Sequence, residues 1–454
     1  MPHSSIVHDL RSAHSTDALL TGVPLPTLLY FALPIILGNI FQQLYSIVDA
    51  IVVGNFLGDL PLSGISVASP IVDVANALVI GGTIGVGVLC AHYCGAGEGE
   101  RLRCMNATAL LGGGALTLLI ALCGIFFSTP LLRAQGTEEA VCREAAVYLQ
   151  LVFAGLLFCF LYNYYAAMLR SCGNSRTPFL ILLLSSTLHA LLDVLFVGVF
   201  GWGIRGVAFS TVLCQALAAA ACILYAQRRC PPLLLRPANL RFDRQMARLV
   251  LSYAWAAALQ QAVVCIGRLL VQGMLTPLGT STVTGYNMSL RTEQFLFCFS
   301  QGISAAMVVC LSQNLGHGDR PRARRFFRIS VLVELALIAL LGTVCFLFPA
   351  RIVGLFSDNA DVIAAGAQYT GAMAYLYVFA YLGEVIQGFF RGLGRLRLTM
   401  VASLLQVLLR VVLSYLLIPV WGMYGICAAV VSGWVLLVGI EGAYAVRKSS
   451  ALAA

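Results

Sequence analysis

Apolar and polar positions alternate along this chain on a long scale. Runs of twenty or more apolar residues recur, separated by short polar stretches rich in Arg. A helix needs about 20 apolar residues to cross a bilayer, and in lipid it satisfies its backbone groups within each segment. The pattern predicts twelve such helices, near 25–53, 62–90, 106–128, 140–168, 178–200, 204–227, 250–275, 281–312, 326–349, 360–390, 398–420 and 423–446. Several are longer than a crossing requires, which implies tilt or extension beyond the hydrocarbon. The two-residue alternation of a membrane barrel is absent.

Polar residues inside these runs are themselves ordered. In 34–58, Asn39, Gln42, Ser46 and Asp49 are spaced to share one helix face. Ser66, Ser69, Asp73 and Asn76 repeat that spacing in the second run, and Ser186, His189 and Asp193 share a face in the fifth. Pro70 with Gly81, Gly82, Gly85 and Gly87 points to a bent, closely packed second helix.

Composition sharpens the class. The chain is 60% hydrophobic and 10% charged, where a soluble protein carries about 25% charged residues. The net charge of +9 sits in short loops between apolar runs, so it sets topology, and no nucleic-acid partner is expected. The first 24 residues lack a charged segment followed by a short apolar one, so the first span is expected to be retained. Fifteen cysteines lie mostly within apolar runs, where Cys behaves as a small hydrophobe. Cys90, His92 and Cys94 are close together, but no second ligand pair follows, and no metal is expected.

Arg placement orients the chain. Alternate loops hold Arg101 and Arg103, Arg170 and Arg176, the basic stretches 228–248 and 320–328, then Arg391, Arg395 and Arg397, and finally Arg447 and Lys448. The opposite loops hold only Arg133, Arg143, Arg205 and Arg351. Both termini are therefore expected in the cytoplasm. The sequence also repeats: GAGEGERLR at 95–103 returns as GHGDRPRAR at 316–324, and at that same offset Tyr148 matches Tyr369, Arg170 matches Arg391 and Gly173 matches Gly394. Gln42-Gln43 returns as Gln260-Gln261. The expected fold is an all-α integral membrane protein, with twelve transmembrane helices in two six-helix lobes related by a pseudo-two-fold axis along the membrane normal. Its parts are a cytoplasmic tail at 1–24, an N-lobe at 25–227, a basic linker at 228–249, a C-lobe at 250–446 and a tail at 447–454.

Acids at membrane depth cost roughly 2.5–3.5 kcal/mol by insertion scales, so Asp49 and Asp193 read as functional; a packing role for Asp49 is the alternative. Two such acids near an imidazole make a proton or Na+ exchangeable. His189 alone reads equally well as a hydrogen-bonded packing residue. The second lobe differs, since Asp193 and His189 align with Ser414 and Arg410. There Glu384 reads either as a cation ligand or as the partner of Arg268 or Arg410. Gln42, Tyr45, Tyr162, Gln261, Met288 and Tyr381 are the candidates to line a substrate cleft.

The spaced set Pro34, Gln43, Tyr45, Asp49 and Gly54, the GAGE and GHGD loops, and Arg170, Gly173 and Asn174 together resemble the multidrug and toxic compound extrusion (MATE) family, over residues 25–446 and closest to the branch found in bacteria such as the Firmicutes. The resemblance implies a non-enzymatic antiporter in the inner (plasma) membrane, acting as a monomer among membrane lipids. It would export organic cations and amphipathic drugs, with H+ or Na+ as coupling ion and no other cofactor. It implies a coupling-ion site at Asp49, His189, Asp193 and Thr211, and a secondary coupling candidate at Glu384. Many relatives carry Asn where His189 stands, which favours H+. The competing expectation is a flippase or exporter of lipid-linked or polysaccharide precursors, which would need a strongly cationic cavity. No HExxH, GxSxG or nucleotide-binding loop appears.

Overall fold

The structure, a computed structural model, describes residues 14–233, 241–275, 277 and 279–447; the side chains of 14–16, 49, 50, 59, 232, 446 and 447 fall outside the described set. A short helix α1 (His14–Thr21) precedes α2 (Pro24–Leu57), α3 (Asp59–Ala96), α4 (Gly99–Ala134), α5 (Glu139–Ser171), α6 (Arg176–Asp193) and α7 (Gly203–Arg229). Then come α8 (Arg244–Gly273), α9 (Thr280–His317), α10 (Arg320–Leu347), the short α11 (Pro349–Val353), α12 (Ala360–Met373), α13 (Tyr377–Gly392), α14 (Leu396–Trp421) and α15 (Met423–Arg447).

Eleven of the described helices are long and apolar enough to cross a membrane, and α12 with α13 form a twelfth span bent by 58°. The sequence reads that span as one helix over 360–390. Its break is a tightening of the ladder: Ala374 N–H bonds to the Gly371 carbonyl and Val378 N–H to that of Tyr375, three residues back instead of four.

The polar linker of the sequence reading is partly ordered against the helices. Residues 234–240 lie outside the described set, but the Leu233 carbonyl accepts Asn106 Nδ2 at 3.1 Å. On the other side, Asp243 N–H meets Thr108 Oγ1 at 3.3 Å, and the Asp243 carboxylate accepts Met246 N–H at the start of α8. The N-terminal tail contributes α1, whose buried Leu19 gives its carbonyl to Asn314 Nδ2 at 3.2 Å.

The chain divides into two compact units. One holds the chain through Gly22, Leu33–Ala262 and Ser312–Asp319; the other holds Val23–Ala32, Val263–Leu311 and the chain from Arg320 onward. In the first unit α5 packs closely against α3, α4 and α7, with Val86, Leu89, Leu149, Phe153, Phe160 and Tyr164 in the core. In the second, α13 packs against both α10 and α15, around Tyr286, Tyr369, Tyr377 and Tyr381.

The internal repeat has a backbone basis. Gly58, Gly97, Gly173 and Gly201 have φ of 74°, 70°, 89° and 66°, and their repeat mates Gly279, Gly318, Gly394 and Gly422 have 93°, 91°, 73° and 54°. A Cβ disfavours that left-handed region, so helix-ending turns that need it retain glycine. At Gly97 and Gly318 the closing bonds also match: Glu98 N–H to the Tyr93 carbonyl, and Asp319 N–H to that of Asn314. The two halves end their helices with the same turns, which keeps the helix boundaries in register while side chains between them diverge.

Close packing in α3 is concentrated on one face. A Cβ at Gly81 would come 2.6 Å from the Ala257 carbonyl, and one at Gly85 would collide with the Tyr253 carbonyl, whereas Gly82 faces open space. Gly85→Ala is therefore expected to lower the melting temperature of the detergent-purified protein, by an overpacking cost of about 1–3 kcal/mol. Gly82→Ala, which removes the helix penalty of Gly without a clash, should leave it unchanged or raise it. Equal effects of the two substitutions would contradict the close α3–α8 approach.

Candidate functional site

The first unit brings polar side chains of three helices to one buried point. His189 and Asp193 are one turn apart on α6, so the helix itself stacks imidazole over carboxylate. Both are buried, at 6% and 0% exposure. His189 Nδ1 lies 2.9 Å from Asp193 Oδ2. That contact is off the hydrogen-bond direction, and Asp193 Oδ2 has no aligned donor among the described residues. Its other oxygen, Oδ1, accepts the hydroxyl of buried Ser210 on α7. Immediately after Asp193 the helix widens into a π-helical turn, Val194–Val199. Such turns are rare and frequent at functional sites.

Two further groups close on the imidazole. Thr211 Oγ1, next to Ser210 on α7, lies 2.9 Å from His189 Nε2. Tyr45 of α2 sets its hydroxyl against His189 Nδ1, edge-on, with ring centroids 4.9 Å apart. Counting protons constrains the site. Ser210 and Thr211 each have one hydroxyl proton, and both also lie within bonding distance of the Val207 carbonyl, at 2.8 and 2.9 Å. With the Ser210 proton on Asp193, Thr211 can give its proton to Val207 and accept from His189 Nε2–H. Nδ1 then either accepts the Tyr45 hydroxyl proton or carries a second proton beside Asp193 Oδ2.

His189, Asp193 and Thr211 are thus brought together as the sequence reading expects, and Tyr45 joins them instead of standing free in a cleft. Asp49 lies one turn beyond Tyr45 in α2, with its side chain outside the described residues. Ser210 was not expected; its signal was only its place beside Thr211. Gln42 is exposed, and Tyr162, Gln261 and Met288 are half-buried. Tyr381 corrects the reading: it is 1% exposed, and its hydroxyl donates to the Leu296 carbonyl at 2.7 Å, so it is a core residue of the second unit. Helical spacing gives a core face and a cleft face the same signature.

At the repeat-related position of the second unit stand Arg410 and Ser414, both buried. Arg410 reaches the Tyr286 hydroxyl at 3.5 Å and is the leading opposite charge acting on Glu293, whose carboxylate also meets Tyr377 and Tyr369 at 3.3 and 3.4 Å. Glu384 pairs with Arg391 at 2.5 Å, not with Arg268 or Arg410. Two acids escaped the sequence reading, Glu334 on α10 and Glu441 on α15. Both are fully buried, without a hydrogen-bonded oxygen among the described residues, and Glu384 is a neighbouring charge to each.

Two repeated sets of helices, each long enough to span a bilayer and one carrying a buried His–Asp pair, define a multi-span helical membrane protein of the two-lobe transporter class. The MatE family model matches residues 34–195 and 256–416, one match in each half, and the chain belongs to that family. It is 27% identical over 387 residues to a probable multidrug resistance protein, YpnP, of Bacillus subtilis, covering 85% of this chain and 86% of that one. It is 26% identical to an FAD transporter of Shewanella oneidensis, over 74% and 75% of the two chains. Among solved structures it resembles a multidrug resistance MATE family transporter in an outward-facing conformation, with a TM-score of 0.86 and 18% identity over 96% of this chain and 98% of the other. A MATE structure in the straight conformation gives a TM-score of 0.87 at 20% identity over the same shares.

Ser210 holds the one aligned hydrogen bond to a carboxylate with no exposure. Ser210→Ala is expected to destabilise the purified protein by about 1–3 kcal/mol, the cost of leaving a buried acceptor unpaired. Thr187→Val, on the exposed face of the neighbouring helix, should change thermal stability little. An unchanged melting temperature for Ser210→Ala would contradict the assigned bond.

Proposed function

We propose that this protein exports amphipathic organic cations from the cell in exchange for protons, and that the His189–Asp193 pair carries the proton. The observation that carries the reading is an imidazole held at both nitrogens, by Thr211 on one side and by Tyr45 and Asp193 on the other, in a buried site. A hard cation such as Na+ favours an all-oxygen shell. Here the centre of the cluster is occupied by nitrogen, which favours H+ over Na+.

The residues also supply a coupling device. With the pair short of a proton, Nδ1 accepts the Tyr45 hydroxyl and ties α2 to α6. When a proton arrives at Nδ1, that nitrogen becomes a donor to Asp193 Oδ2 and the Tyr45 proton must find another acceptor. Protonation therefore exchanges a bond between helices for one within α6. A ligand shifts a two-state equilibrium only through such differential contacts. Asp49, one turn beyond Tyr45, is the second acid of the reading. One charge moving down about 100 mV supplies roughly 2.3 kcal/mol, enough for a gradient of about fiftyfold.

Placement in the plasma membrane with both termini cytoplasmic, and action as a monomer, complete the proposal; the Arg-rich alternate loops support the orientation. Export of a pyrophosphate-linked precursor is less well supported. Of its two expected cavity cations, Arg410 is buried against Tyr286 and faces Glu293.

Proteoliposomes given a pH gradient or a Na+ gradient separately test the reading. Uptake of a fluorescent organic cation into inverted vesicles should follow the pH gradient. Asp193→Asn and His189→Ala should each reduce it at least tenfold while eluting as folded protein on gel filtration. Transport driven by Na+ alone, or full proton-driven transport by Asp193→Asn, would overturn it. So would preferential transport of an anionic flavin dinucleotide.

A further inference from the structure

The sequence sets Cys90, His92 and Cys94 side by side but supplies too few ligands for a metal. Folding changes the set. Cys90 and Cys94 are one turn apart on α3 and are buried, whereas His92 points away and is exposed. A third thiol arrives from 78 residues away: Cys172, the residue that caps α5, lies with its Sγ 3.3 Å from Cys94 Sγ. The three sulfurs all fall within 4.8 Å of one another, the one such group of potential metal ligands among the described residues.

Three further facts make this more than cysteines in an apolar core. The geometry is held rigidly from both sides: Ser171, beside Cys172, donates its hydroxyl to the Gly87 carbonyl at 2.8 Å and gives its own carbonyl to Gln313 Nε2 at 2.6 Å. Gly95, beside Cys94, is pressed so closely against the Gln313 backbone that no Cβ fits. And the thiols gather where α3 and α5 both end, with Cys94 in the last turn of one and Cys172 at the cap of the other. The C-terminal carbonyls of two helices favour a cation there.

We infer that Cys90, Cys94 and Cys172 form a binding site for a single thiophilic d10 cation, three-coordinate copper(I) by ligand type and number. Thiolates select soft cations, and structural zinc sites take four ligands where this group offers three. For sulfurs bound at about 2.3 Å, a trigonal cation needs separations near 4 Å, which the cluster meets with small rotations of χ1. Each sulfur that binds gives up its thiol proton to solvent, with no change of oxidation state. The bound cation would tie the end of α3 to the end of α5, beside the GAGE loop and the Arg170–Asn174 turn, and so place the first unit under the control of the soft-metal supply.

The test is titration of the full, detergent-purified chain with copper(I) supplied on a chromogenic copper(I) chelator. The wild type is expected to withdraw one equivalent, Cys94→Ala/Cys172→Ala none, and Cys123→Ala, at an exposed cysteine, one. X-ray absorption on the wild-type copper complex requires no variant and should show a first shell of three sulfurs. Withdrawal of no copper by the wild type, equal withdrawal by the double variant, or a shell with two sulfurs or with four would overturn the site. A Cys94–Cys172 disulfide in the detergent-purified protein prepared under reductant throughout, detected by mass spectrometry, would overturn it as well.

Discussion

Everything at the proposed coupling site depends on one constraint: Asp193 has no exposure, and a carboxylate in that position must be met by donors or by a proton. The fold provides one aligned donor, Ser210, for one oxygen, and leaves the other beside the His189 imidazole. Buried charge is costly unless it is paired and hydrogen-bonded. In the proposed exchange, that shortfall of one donor is what the arriving proton would meet. The surrounding structure serves that arrangement: the turn of α6 stacks His189 over Asp193, α7 brings Ser210 and Thr211 as neighbours, and α2 brings Tyr45.

The repeat shows how the same backbone supports a different solution. Four pairs of left-handed glycines recur between the halves and mark matching helix boundaries. Between them, the positions of His189 and Asp193 are taken by Arg410, which reaches the Tyr286 hydroxyl, and Ser414; Tyr369 and Tyr377 meet the nearby Glu293 carboxylate. One half holds a buried His–Asp pair; the other holds a buried Arg within reach of a tyrosine hydroxyl. The buried acids Glu334 and Glu441 add further polar groups to the interior of the second unit.

Much of this was legible in the sequence because it follows from periodicity. Spans announce themselves as apolar runs, the repeat through its glycines and basic loops, and the His189–Asp193 pair through four-residue spacing. What stayed hidden depended on contacts between helices. Ser210 and Cys172 matter only for what lies across from them. Tyr381 and Tyr45 share a plain helical signature, yet one closes a core and the other reaches His189. Glu334 and Glu441 are single acids in long apolar runs, with no stripe of polar neighbours to mark them. The bend between Met373 and Tyr377 likewise has no proline or glycine pair to announce it.

Nitrogen-15 NMR of histidine-labelled protein reads the central claim most directly. The chain has six histidines, and comparison with His189→Ala assigns the resonance. The account predicts a neutral, Nε2-protonated imidazole at high pH that becomes doubly protonated as the pH falls, and that returns to the neutral form when an organic cation is added. A His189 signal that keeps one tautomer throughout, with no response to the substrate, would contradict it.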